Sequence, residues 1–193
     1  MPNTDRFKGH VQIAHDFTLD KFTYDNPVHY QPCIKVAFYF KKREDVSYEH
    51  FFTHWAQVHA DLTVTCKNFG LFQCQRYIQH HQPPEMREGL LRMGMSPMDF
   101  DGCSTLWFKD WPDFQRFFTA PGYQGKLTED CKHFMDVHGG ISAFAGRDVI
   151  VFGRGIPGVD DEDGITDYVT GDKRVDGEDT NKAVDSEELT VFN

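Results

Sequence analysis

Apolar and polar residues alternate strictly over residues 33–41 (CIKVAFYFK). Ile34, Val36, Phe38 and Phe40 share one face, and Lys35, Ala37 and Tyr39 the other, which predicts a half-buried strand. The period then lengthens. Ser47 is placed to cap a helix with Glu49 in its first turn, where the macrodipole favours an anion. This helix is expected to reach about Lys67 and to close near Asn68 to Gly70. Along it Phe51, Phe52, Trp55, Val58 and Leu62 fall within about 120° of arc at about 100° per residue. Alternation returns over residues 71–80 (LFQCQRYIQH) and 101–109 (DGCSTLWFK), predicting strands two and three. Between them lies an excursion with Pro83, Pro84, Gly89, Gly94, Pro97 and the cluster Leu90, Leu91, Met93, Met95, Met98. Its length reads as a functional flap or a disordered loop. Asp110 caps a short helix, Trp111–Thr119, stopped by Ala120-Pro121-Gly122. A further helical segment spans about 126–135, and residues 141–152 form the last strand, interrupted near Gly146.

The resulting order, β-α-β-β-α-β, is the ferredoxin-like arrangement of an α+β domain. Helices cover one face of such a sheet, so its apolar bare face calls for a second copy, and a homodimer is expected. Three segments follow from the pattern: an N-terminal arm over 1–31, the domain over 32–156, and a tail over 157–193. The arm is polar with scattered aromatics, Phe17, Phe22, Tyr24 and Tyr30. The tail holds 12 of the 30 acidic residues and only 3 of the 20 basic ones. It has too little apolar surface to offset the entropy of ordering, so it is expected to be disordered.

With the tail set aside, the formal charge of −10 shrinks to about −1. No basic stripe remains to neutralise phosphates, which argues against a nucleic-acid partner. The start is polar and no apolar run is long enough to span a bilayer, so a soluble, cytoplasmic protein without a membrane partner is expected. The five cysteines, Cys33, Cys66, Cys74, Cys103 and Cys131, form no CxxC pair and read as reduced, buried small hydrophobes. With 18 Phe, 7 Tyr and 3 Trp, the chain is well supplied to wall a flat cavity.

His59 carries the candidate chemistry, because it falls inside the apolar arc of the first helix, whereas His50 and His54 fall at or beyond its edge. An imidazole there is either a core histidine bonded to a backbone carbonyl or a general acid–base. His50 and His54 have the i, i+4 spacing of zinc ligands, but no glutamate follows the first, and no metal site is expected. Tyr39 and Tyr77 could each donate from a phenol to a substrate carbonyl or simply pack. His133, Asp136 and His138 could supply a second acid or base or belong to a solvated surface. Trp55 and Trp107 are core aromatics first and cavity walls second. No GxGxxG, GxxxxGK or GxSxG motif supports a nicotinamide, nucleotide or serine-hydrolase site, and no cofactor is expected.

Two segments resemble the EthD family. His54-Trp55-Ala56-Gln57-Val58-His59-Ala60-Asp61-Leu62 is similar to its W-x-x-x-H-x-x-L helix. Residues 101–110 (DGCSTLWFKD), with Phe114, Phe117, Phe118, Pro121, Gly122 and Tyr123, resemble its second conserved stretch, and Asp130, Phe134 and Asp136 its end. The resemblance covers roughly residues 33–153 and implies a dimeric α+β barrel with a pocket between sheet and helices. It further implies a cofactor-independent lyase tailoring a polyketide-derived aromatic or pyranone, by dehydration or decarboxylation through an enolate, as in fungal gene clusters. In that reading His59 is the catalytic position, with His133 and Asp136 as candidate second groups and Tyr39, Trp55, Tyr77 and Trp107 against the substrate. A cofactorless monooxygenase or cyclase on the same scaffold, and a non-catalytic dimeric binding protein, are the alternatives. The arm, the Met-rich excursion and the acidic tail depart from the simple family pattern.

Overall fold

Antiparallel pairing of the alternating segments builds one four-stranded sheet, seen in a computed structural model that describes residues 13–121, 125–160 and 162–166. Its strands are β1 (Ile34–Phe40), β2 (Cys74–His81), β3 (Gly102–Phe108) and β4 (Ser142–Gly146). They lie in the order β2-β3-β1-β4, with β1 paired to both β3 and β4. The crossovers carry the helices: α1 (Tyr48–His54), α2 (Ala60–Thr65) and α3 (Lys67–Leu71) between β1 and β2, and α5 (Trp111–Thr119) and α6 (Lys126–Cys131) between β3 and β4. This is the ferredoxin-like α+β topology.

Register decides which side chains meet the helices. Tyr77 pairs with Leu106 and Gln79 with Ser104 across β2 and β3, while Phe38 pairs with Ser104 and Ala143. These residues stand on the helix-covered face. Two aromatic clusters form there, one of Phe40, Phe51, Trp55, Phe134 and Met135, the other of Leu106, Phe108 and Phe117. Trp55 lies flat on the sheet because β3 opens with Gly102: a Cβ at that position would sit 2.7 Å from Trp55 Cζ3. His81 stacks on Trp55, the two ring centroids 4.4 Å apart.

The long first helix is not one regular helix. Ser47 caps α1 as expected, accepting from the His50 N–H. From Trp55 to His59 the backbone then widens into a π turn, and the Ala60 N–H reaches the Trp55 carbonyl five residues back. The same carbonyl accepts from Gln79 Nε2 at 2.9 Å. Inside this wider turn the constant 100° step fails, and Val58, assigned to the apolar arc on that step, is half exposed instead. The excursion between strands two and three is partly helical: α4 (Pro84–Arg92) starts at a proline and is closed by Gly94 at φ +74°.

The last strand is shorter than its sequence pattern suggested, ending at Gly146. Beyond it the chain crosses to the helix-free face, where Ile156 and Val159 cover Cys33 and Trp107. Val159 and Asp160 thus pack beyond residue 157. Asp160 is buried and bonded to His29, and Phe152 bridges Ile165. The remainder of the acidic tail, 167–193, lies outside the described residues. Residues 13–28 form a separate unit with a short 3-10 turn (Asp20–Phe22) and Phe17 edge-on to Tyr24.

Replacing Gly102 by alanine should drive a methyl into the Trp55 ring and cost about 1–3 kcal/mol, as overpacked cores do. A urea midpoint indistinguishable from that of the unaltered protein would show that Trp55 is not seated as described.

Candidate active site

Between the two aromatic clusters the packing leaves a cavity of about 320 Å³. That is at the small end of the range for small-molecule sites. Phe38, Phe40, Leu106, Phe117, Phe118 and Met135 supply apolar wall, and Thr63, Ser104, Cys131 and Ala143 leave room where larger side chains would fill it. Ile141, more than half exposed, stands beside the edge strand β4. The chemistry is confined to His59, Tyr77 and three small hydroxyl or thiol groups, and no Lys or Arg lines the cavity among the described residues.

His59 has its ring in the cavity wall and its Nδ1 against Asp130 Oδ2, 2.8 Å away. The other oxygen of Asp130 accepts from His54 Nε2 at 2.9 Å. An ionised carboxylate only accepts, so each ring nitrogen facing it carries its proton. His59 is thereby held with Nδ1 protonated and the Nε2 lone pair free. Burial pushes the His59 pKa below its usual value; hydrogen bonding and charge from Asp130 pull it back up, and His54 lowers it slightly. The net result is a neutral imidazole at pH 7, with the base form already in place.

Tyr77 also lines the cavity. Its oxygen accepts from Gln79 Nε2 at 2.9 Å, which leaves the phenolic hydrogen to donate elsewhere. Burial raises its pKa, opposed chiefly by the Gln79 amide that donates to it, so the phenol remains protonated and serves as a donor. Gln79 thus ties the phenol to the Trp55 carbonyl in the π turn. The Cys131 thiol is pushed by burial to about 12 and is no nucleophile.

Of the residues singled out in the sequence, the structure brings His59 and Tyr77 together and leaves the others outside the cavity. Tyr39 pairs with Cys103 on the opposite face of the sheet, because Tyr39 and Phe38 are neighbours on β1. Trp55 is fully buried beneath the cavity's aromatic wall. Trp107 lies under Ile156 on the helix-free face, its indole N–H donating to Asp148. His133 is exposed with its ring 5.9 Å from that of His54, and Asp136 caps a turn by accepting from the His138 and Gly139 N–H groups. Asp130, the partner that matters, carried no signal of its own beyond its place in the family-like stretch. Among the described residues no group of three or more His, Cys, Asp or Glu is arranged to hold a metal ion. No described helix is long and apolar enough to cross a membrane.

The topology is that of a ferredoxin-like α+β domain, with His59 set between the sheet and its helices. Residues 43–138 match the family model of the EthD domain. Among solved structures, an EthD family protein from Bacillus halodurans is 16% identical, covers 61% of this chain and 99% of its own, with a TM-score of 0.42. A dimeric ferredoxin-like protein of unknown function from Bacteroides fragilis is 12% identical, covering 62% and 100%, with a TM-score of 0.41. A hydroxynitrile lyase from Passiflora edulis is 14% identical, covering 60% and 93%, with a TM-score of 0.35. No curated protein matches the chain.

Titration of the His59 ring followed by NMR should give a midpoint below the usual 6.5. Asp130→Asn removes the group that raises it and should push the midpoint lower still. A midpoint at or above the usual value in the unaltered protein would contradict the burial described.

Proposed function

We propose that the protein is a cofactor-independent lyase that removes water from a neutral, flat, polyketide-derived aromatic or pyranone. The observation that carries this reading is a neutral His59, oriented by Asp130, in the wall of an aromatic-lined cavity that also holds a protonated Tyr77. His59 Nε2 takes the proton α to a substrate carbonyl, and the electron pair moves onto the carbonyl oxygen. Tyr77 donates to that enolate oxygen. As the enolate collapses, the β C–O bond breaks, and the imidazolium returns its proton to the departing hydroxide, giving water and restoring His59. Asp130 holds the imidazolium during the interval, as the carboxylate does in a serine-protease triad. Water loss is favoured over decarboxylation because no described cationic side chain lines the cavity to bind a carboxylate.

The assembly proposed is a homodimer through the helix-free sheet face. Ile78 and Phe144 stand exposed on it beside Thr105 and Ala37, an apolar surface that a second copy would cover.

Mass spectrometry of metabolites from cells lacking the protein should reveal an accumulated intermediate heavier by one water than the normal product. Accumulation of a species heavier by one carbon dioxide would replace dehydration with decarboxylation. With that intermediate as substrate, His59→Ala should lose about 10²–10⁴ in kcat, and Tyr77→Phe about 10²–10³. The rate should fall as pH drops through the lowered His59 pKa, because only the neutral ring accepts a proton. Glutamates at both Ile78 and Phe144 should convert a dimer to a monomer by light scattering; a monomer before substitution would end the proposed assembly.

A further inference from the structure

We propose that His54 is a positioning residue for His59, acting through the carboxylate they share, and that the π turn is the device that puts it there. In a regular helix two residues five apart point about 140° away from each other. His54 and His59 would then face different surroundings. A π turn closes its hydrogen bond over five residues, so His54, just before the turn, and His59, its last residue, come round to the same side. Both rings reach Asp130, one to each oxygen, at 2.9 and 2.8 Å.

A carboxylate held by one donor can turn about its Cβ–Cγ bond. Held from both sides it cannot turn without breaking a charge-assisted hydrogen bond in a nearly dry environment. His54 and His59 side chains are 16% and 12% exposed and Asp130 8%, so water does not readily replace either ring. His54 is fixed in turn: its ring packs 5.3 Å from Phe134, which also touches His59 at 5.1 Å. Its outer side faces a groove lined by Glu49, His50, Thr53 and Gln57, and His133 approaches from the segment after α6. His54 takes no place in the cavity wall, so it acts on a guest only through Asp130.

The inference rests on the proposed role of His59 as base, but its test needs no substrate. Nitrogen NMR of the full-length protein with labelled histidine should find His59 protonated at Nδ1 and His54 at Nε2. His54→Gln retains an N–H for Asp130 Oδ1 and should keep the His59 tautomer. His54→Phe keeps a ring against Phe134 without a donor. It should give a mixture of His59 tautomers, since Asp130, no longer held from its other side, can turn away from Nδ1. A His54 found protonated at Nδ1 in the unaltered protein overturns the proposal whether or not the variants fold. So does a His59 ring unchanged in His54→Phe, or changed equally in His54→Gln and His54→Phe. If instead the tautomers are as described and no turnover is ever found, the lyase reading fails and the positioning role stands.

Discussion

A carboxylate taken out of water must be given its hydrogen bonds back, and Asp130 receives them from two imidazoles. Burial of an ionised group without such partners would cost several kcal/mol. The requirement reaches well beyond one side chain. It draws α6 against the helical stretch that follows β1 and fixes which nitrogen of His59 keeps its proton. It is met only because the backbone widens between His54 and His59. The Trp55 carbonyl at the start of that widening is bonded by Gln79 from the sheet, so the distortion is anchored there.

The cavity is the complement of the same packing. Trp55 and its neighbours fill one end of the sheet, Phe108 and Phe117 the other, and the space between them is bounded by small residues from four different elements. A flat guest entering there meets aromatic faces on most sides and polar atoms at only a few points. Preorganised groups of this kind act on developing charge without having to reorganise during the reaction. His59 and Tyr77 offer one acceptor and one donor, the minimum that enolate chemistry asks of a protein.

Much of this was legible from residues alone. Alternation located β1, β2 and β3, since the period of two in a pleated strand is insensitive to what packs above it. Ser47 and Asp110 cap their helices as their chemistry requires, each accepting from the backbone N–H three residues on. His59 stood out as an imidazole among hydrocarbons. Tyr39 and Tyr77 could not be separated, because choosing between the faces of a sheet needs the register between strands. The same limit misplaced Trp107, whose cover comes from Ile156 and Val159, far along the chain.

Residues alone carried the order of elements, the half-buried character of the first strand and the histidine that faces inward. Those depend on local periodicity, which each segment carries within itself. Only folding settled the partner of that histidine, the void beside it and the packing of Ile156 and Val159 over Trp107. A helix of constant pitch would have kept His54 and His59 apart, and nothing in the neighbouring residues announces the wider turn. Asp130 lies 71 residues from His59 in the chain, and only the folded crossovers bring a carboxylate and two rings within hydrogen-bonding distance.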